Sequence, residues 1–522
     1  MNKFFLLRSV CTIFVKNRNF KNMMKSFLRL TAVAVLVVVC GFSSAVAQNP
    51  KHEFRGAWMH IIGQGQYARM TTAENQAYLR HQLNLLKQAG CNAVIWQIRP
   101  QADAAYHSSL EPWSRYISGT AGVAPDPDWD PLQFMITEAH NRGMELHAWI
   151  NPYRVTASKG EMPAKGHIYY EHPEWFLSYA DGKIYFDPGL PESRDFINKV
   201  VADILTRYDV DAIHMDDYFY PYPVEGVDFP DDDSYARYGN GMNRGDWRRQ
   251  NVDMLIEQLH HTIQGIKPWV RFGISPFGVW RNRTSDPDGS ETDALQCYDA
   301  LYADCPKWTR CGWVDYMVPQ LYWELEHKRA PALELSYWWA RHANDRHMYF
   351  GISAHNIMTH HDVPDTLCPT QLNHRISLQR SLEGVHGITW WPGYTITQNF
   401  NGILDSLSLH HQSTPAIIPA YTWLDSIPPL PVRQLKQRRI AGNLVLSWKE
   451  PKASVEMQRA VQYVVYRFPA GSARDFDNPA NIVAVTPHTS FSPAKAVSGD
   501  CFAVTALDHC NNESAPQTVV CK

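Results

Sequence analysis

The stretch Val210-Asp211-Ala212-Ile213-His214-Met215-Asp216-Asp217-Tyr218-Phe219-Tyr220-Pro221 opens as a short apolar strand and closes on two adjacent carboxylates and an aromatic run. A buried strand that carries acids and aromatics at its C-terminal end is how a parallel barrel presents reactive side chains at its mouth. An isolated Asp-Asp is also a common cap of a strand–loop junction, because short carboxylates bond nearby backbone amides. The two readings separate on whether other apolar segments recur at barrel spacing and end in similar cargo.

They do recur. Strands are expected at Phe54–Ile61, Asn92–Ile98, Glu145–Ile150, Ala212–Met215, Arg271–Ser275, Tyr316–Gln320, Met348–Ser353 and Gly387–Trp391. Helical periodicity fills the gaps. Thr71 to Ala89 carries Leu79, Leu83 and Leu86 on one face with Gly90 as a C-terminal stop. Asp130-Pro131 starts a helix through His140 that stops at Gly143, and Trp247 to Ile266 reads as another amphipathic helix. Eight strands alternating with helices predict an α/β fold, a (β/α)8 TIM barrel over residues 48–420. Pro415, Pro419 and Pro428-Pro429-Leu430-Pro431 then mark a linker at residues 421–430. Beyond it the alternating runs Leu444–Trp448, Tyr463–Arg467 and Cys501–Ala506 predict a small all-β sandwich over residues 431–522.

A chain of 522 residues with 45% hydrophobic content has room for a large barrel and a small module. The net charge of −3 shows no basic excess, so no nucleic-acid partner is expected. Residues 1–47 read as an export signal: Lys25 and Arg29 precede the apolar run Leu30–Val39, and Ala45-Val46-Ala47 offers small residues for cleavage before Gln48. That run is too short to cross a bilayer, so the mature chain is expected to have no membrane span and to work in the periplasm or at the cell surface. Cys40 offers a lipoprotein alternative, which the bulky Val39 before it disfavours. An oxidising compartment permits disulfides among the remaining cysteines; Cys305 and Cys311 flank a short segment, and Cys501, Cys510 and Cys521 cluster near the end.

The eight expected strand ends carry a consistent set of side chains. The first ends in Trp58-Met59-His60, the second in Gln97 and Arg99 with Asp103 beyond, and the third in His147, Asn151, Tyr153 and Arg154. The fourth brings His214, Asp216 and Asp217, the fifth Ser275, and the sixth Gln320, Tyr322, Trp323 and Glu324. The seventh ends in His355-Asn356, and the eighth in Trp390 and Trp391. Singly, each has a structural explanation: a histidine can be a bonded core residue, Arg99 can pair with Asp103 or Asp216, and one of Trp390 and Trp391 must face the core. Together, so many polar groups beside aromatics are costly to bury without use. Eighteen Trp and 25 Tyr fit stacking on the apolar faces of sugar rings.

Glycoside hydrolysis needs a protonated carboxylic acid and an ionised carboxylate about the scissile bond. Asp216 is the expected ionised partner, with Arg99 and His214 as its neighbours. Glu324 is the expected acid, and Asp217 is its competitor. Adjacent strand residues face opposite ways, so Asp216 and Asp217 share a pocket only if the strand has already ended. If Asp216 and Glu324 do not share a cleft, glycan binding without turnover becomes the rival account.

These segments resemble the glycosyl hydrolase-like family 10 of bacterial (β/α)8 proteins. The matching stretches are Glu53-Phe54-Arg55-Gly56-Ala57-Trp58, Gln97-Ile98-Arg99-Pro100 through Asp103 to Glu111-Pro112-Trp113-Ser114, and His147 through Arg154. Asp216-Asp217-Tyr218 and Val318-Pro319-Gln320-Leu321-Tyr322-Trp323 complete the set. The resemblance implies an exported glycosidase, and one branch of that family acts on bacterial cell-wall glycan. The strand-four segment is also similar to the nucleophile strand of α-amylase-type barrels. The C-terminal Phe502–Asp508 with Asn512–Pro516 resembles the last strands of a fibronectin type III module, expected to be a spacer or a partner contact. No cofactor and no metal is expected: a metal-dependent barrel hydrolase calls for His-x-His after strand one and histidines after strands five and six, which this chain lacks.

Overall fold

The computed structural model describes residues 49–359 and 371–521. The expected export signal, with Cys40, lies outside the described residues.

Eight parallel strands close on themselves: β1 (Phe54–Met59), β2 (Ala93–Arg99), β3 (Glu145–Ile150), β4 (Ala212–Met215), β5 (Arg271–Ile274), β6 (Tyr316–Met317), β7 (His347–Ser353) and β8 (Val385–Trp391). Each pairs with its sequence neighbours, and β1 pairs with β8 through Phe54↔Gly387 to Ala57↔Trp390. The fold is the (β/α)8 barrel the strand spacing predicts. The sixth strand is shorter than expected because Pro319 has no amide to donate; Gln320 instead bridges singly to Phe277 and Gly351.

The helices lie outside the barrel: α1 (Thr72–Gln88), α2 (Pro131–His140), α3 (Pro191–Arg207), α4 (Arg244–Ile266), α5 (Cys305–Arg310), α6 (Ala332–Arg341) and α7 (Leu372–Ser381). Thr71 and Glu74 form a capping box at the start of α1, and Asp130 caps α2 by accepting from the Gln133 amide. Helix α4 begins three residues before Trp247 because Asn243 caps it there.

Alternation along each strand divides the barrel into two cores. Outward residues such as Val94, Trp96, Leu146, Ile213, Phe272, Ile352 and Trp390 pack under the helices. Inward residues, among them Phe54, Trp58, Ile95, Trp149, Tyr316 and Tyr349, fill the lumen. Glycines make room for the large rings: a Cβ on Gly273 would sit 1.9 Å from the Tyr316 ring, and one on Gly351 2.9 Å from Trp58.

Two antiparallel sheets follow. One is β9 (Arg433–Ile440), β10 (Asn443–Lys449) and β13 (Ser490–Phe491). The other runs β12 (Ile482–Thr486), β11 (Gln462–Phe468), β14 (Cys501–Leu507), β15 (Gln517–Val520). They enclose Leu446, Trp448, Val465, Phe502 and Val504 as a sandwich core.

The segment expected to be a linker is instead part of the barrel floor at its start. Tyr421 is fully buried, with its hydroxyl 2.7 Å from that of Tyr349, and Trp423 donates to Asp315 at 2.8 Å. The sandwich closes the same end: Asn511 donates to Glu145 at 3.1 Å, and the His509 carbonyl accepts from Arg271 at 3.0 Å. Proline spacing marks chain that is neither helix nor strand, but it does not separate a free tether from one pinned by aromatics on either side. Cys91, Cys297, Cys305, Cys311, Cys501 and Cys510 carry free thiols.

Candidate active site

A cavity of about 380 Å³ opens at the C-terminal mouth of the barrel, lined by residues from seven of its eight strand ends. Strand β4 ends at Met215, so Asp216 and Asp217 lie past the pleat, and both line this cavity. The alternation that would have parted them no longer applies.

Asp216 is held by strand three. Trp149 Nε1 donates to Oδ2 at 3.1 Å and Asn151 Nδ2 to Oδ1 at 3.0 Å, so N–H groups occupy both oxygens. Burial pushes its pKa up to about 6; the Asp217 charge adds to the rise, while Arg154 and the two bonds oppose it. Asp217 is held from the other side: Gln320 Nε2 donates to Oδ1 at 2.9 Å, and the Tyr222 hydroxyl bonds Oδ2. Burial raises its pKa as well, against those two bonds. The cation of the site is Arg154, anchored by two bonds to the Pro100 carbonyl and stacked 5.0 Å from the Tyr218 ring centroid. Trp58, Trp149 and Trp391 form the aromatic wall, with Trp391 set edge-on 6.3 Å from Trp58 and 6.0 Å from Trp149. His60 completes this side, 4.9 Å from Trp391, and burial lowers its pKa to about 4, so it stays neutral above that.

Of the expected site residues, Gln97, Arg154, Asp216, Asp217, Gln320, Tyr322 and Trp391 line the cavity. Asn151 stands directly behind Asp216. Glu324 and Trp323 are not among the lining residues: the turn carries them past the rim, where Trp323 packs 5.4 Å from Phe277 and the Glu324 carbonyl accepts from Ala332. Trp390 faces the helices, opposite to Trp391, as strand alternation requires. Tyr153 belongs to the same outer core.

Neither expected neighbour of Asp216 bonds it. Arg99 is fully buried and pairs with Glu111 at 2.6 Å, its remaining donors taken by the Asn151 and Pro152 carbonyls. It braces the loop that carries Asn151. His214 lies in the lumen beneath the cavity, bonded to Trp58, Ser275 and Tyr316. His147 lies deeper, between Tyr316 and Glu145. Asp103 is buried away from the cavity, and burial raises its pKa to about 7.

Trp58, His60, Ile62, Trp149, Tyr218 and Ser275 line the cavity without having been expected to touch a ligand. Trp58 and Trp149 sit at inward strand positions, so counting alternation along β1 and β3 would have found them; the others lie past strand ends. Tyr222, the partner of Asp217, lies five residues past the carboxylates in an irregular loop and had no such signal.

The model of the family described as glycosyl hydrolase-like 10 matches residues 53–365, which contain every cavity residue except Trp391. The chain belongs to that family. Among its relatives, the glycosyl hydrolase YngK of Bacillus subtilis is 38% identical over 452 residues, covering 84% of this chain and 87% of YngK. The glycosyl hydrolase DigH of Escherichia coli is 37% identical over 319 residues, covering 57% of this chain and 71% of DigH. Among solved structures, the glycoside hydrolase domain of PgaB from Bordetella bronchiseptica aligns over 69% of this chain and 99% of that domain, with 13% identity and a TM-score of 0.45. Membership of the glycosyl hydrolase-like 10 family makes a glycan the class of molecule for which this cavity is to be read.

Proposed function

We propose that this chain is an exported glycosidase that cleaves a bacterial cell-wall glycan or a related polysaccharide, with Asp216 and Asp217 as its working carboxylates. The observation that carries the reading is the cavity itself: two buried, adjacent acids past the end of β4, walled by Trp58, Trp149 and Trp391. Indole faces suit the C–H faces of sugar rings, and carboxylates with raised pKa values suit proton transfer near neutral pH.

The partners of the two acids divide their roles. Asp216 accepts only from N–H groups, which favours the ionised form and suits it to stabilising positive charge that builds at the anomeric carbon. Burial favours a proton on Asp217, and the Tyr222 hydroxyl, which donates to the charged form, can turn to accept from the protonated one. In this scheme Asp217 gives its proton to the glycosidic oxygen as the bond to the anomeric carbon breaks, and a water molecule then adds to that carbon and returns a proton to Asp217. Glu324, the acid expected from the sequence, has no part in it.

That Glu324 does not line the cavity also favours a second reading, a glycan-binding protein that turns nothing over. One experiment separates the two. The mature protein is incubated with purified cell-wall glycan and a panel of polysaccharides, beside Asp216→Asn, Asp217→Asn and Glu324→Gln. Product release by the native and Glu324→Gln proteins alone supports the scheme. Retained turnover in both aspartate variants removes it, and binding without product from any protein favours the second reading.

Export rests on the basic and apolar pattern of residues 24–47 and on the small residues before Gln48. Secretion of a reporter fused behind residues 1–50 tests it.

A further inference from the structure

A line of hydrogen bonds runs down the barrel axis from the cavity wall to the floor. The Trp58 indole Nε1 lies 3.2 Å from His214 Nε2, and His214 Nδ1 lies 3.1 Å from the Tyr316 hydroxyl. The same hydroxyl is 2.7 Å from His147 Nδ1, and His147 Nε2 is 2.9 Å from Glu145 Oε2. Arg271 and Asn511, the latter from the C-terminal module, bond Glu145 from below. All the side chains between Trp58 and Glu145 are buried.

An indole N–H only donates. His214 Nε2 must therefore accept, and its proton sits on Nδ1, pointing at Tyr316. The Tyr316 oxygen takes that bond and has its own proton for His147 Nδ1, which must be bare. The remaining proton of His147 is on Nε2 and points at Glu145, an acceptor at both oxygens. Each link leaves one arrangement for the next, so the donor-only indole at the top and the carboxylate at the floor fix every proton between them. The Ser275 hydroxyl, 3.1 Å from His214 Nε2, has the Met215 carbonyl at 3.3 Å as its own acceptor.

We propose that His214, Tyr316, His147 and Glu145 are positioning residues that hold the Trp58 indole against the sugar site through this one-way chain, anchored on the C-terminal module at Asn511. The tautomer pattern stands on the hydrogen bonds alone; the consequence for turnover rests on the glycosidase reading. The sandwich is then part of the site's support rather than a spacer.

The test uses the full chain labelled with ¹⁵N at histidine, with His147 and His214 assigned through His147→Gln and His214→Gln. Two-bond nitrogen–proton spectra are expected to show His214 protonated at Nδ1 and His147 at Nε2. Tyr316→Phe cuts the chain and leaves the Glu145–Arg271 pair in place. It should keep the His147 pattern, which Glu145 sets, shift the His214 Nδ1 signal as that N–H loses its acceptor, and lower kcat/KM on glycan about tenfold, carried by KM, as displacement of a contact residue does. If Tyr316→Phe fails to fold, Trp58→Phe removes the donor to His214 Nε2 and should shift that nitrogen's signal instead. A His214 proton on Nε2 in the native chain overturns the proposal. So does a cut variant with unchanged His214 signals, or one with altered signals and an unchanged rate. If the native protein releases no product from any glycan, the glycosidase reading fails while the spectra still decide the chain of bonds.

Discussion

Asn151 Nδ2 stands 3.0 Å from Asp216 Oδ1, so the end of the third strand holds the carboxylate delivered by the fourth. The same side chain accepts from the Arg154 amide at 2.9 Å, which sets the turn that brings the site's cation over Tyr218. One amide thus orders both charges that face Asp217.

Asn151→Ala should therefore act on chemistry more than on binding. It removes a donor that favours ionised Asp216, so the pKa of that group rises from about 6 and the acid limb of the kcat/KM profile moves to higher pH. A kcat loss of about tenfold to a hundredfold is expected, in the range for a misplaced catalytic group. A pH–rate profile with an unmoved acid limb would falsify the role given to Asn151.

The alkaline limb tests the other carboxylate. Asp217 must keep its proton to act as the acid, and the Tyr222 hydroxyl lowers its pKa by bonding the charged form. Tyr222→Phe should raise the Asp217 pKa and carry the alkaline limb upward. A downward shift of that limb, or none, would assign it to a different group.

Arg99 and Glu111 make a different prediction. Both side chains are fully buried and only 2.6 Å apart, and Arg99 also ties down the carbonyls of Asn151 and Pro152. Glu111→Gln or Arg99→Met leaves a buried charge uncompensated and should cost about 3–5 kcal/mol of stability by urea unfolding. The loss should appear in folding before it appears in the pH profile. A stable Arg99→Met protein with a shifted acid limb would put Arg99 back beside Asp216, where the sequence alone had suggested it.

The barrel was legible because its strands are short apolar runs separated by capped helices; Thr71 with Glu74, and Asp130 before Pro131, mark starts that local chemistry fixes without tertiary help. The site was legible to the level of strand ends. Gln97 and Trp391 face the lumen because alternation along β2 and β8 carries them there. The errors arose where alternation stops. Asp217 follows a strand that ends at Met215, and Glu324 follows the Pro319 interruption in β6; in both places side-chain direction is set by loop geometry that no period encodes. The partners of Arg99 were hidden for another reason: ion pairs depend on distances across the fold, and an arginine near several acids in sequence carries no sign of which it meets.

The stability of the site carries its own pH signature. Asp216 is buried and its pKa is raised to about 6 from an ordinary value of 3.8, so the folded chain binds that proton more tightly than the unfolded chain. The resulting stabilisation is complete below about pH 4 and is lost as pH rises through about 6. Above that, an ionised Asp216 is a burden on the fold, which Asp216→Asn removes. The variant should be more stable than the native protein by about 2 kcal/mol at pH 8, discounted because one of its amide hydrogens must face Trp149 or Asn151. At pH 4.5 the difference should nearly vanish. Urea unfolding at the two pH values measures this directly, and a variant no more stable at pH 8 than at pH 4.5 would mean that Asp216 ionises at no cost to the fold, as a solvated surface carboxylate does.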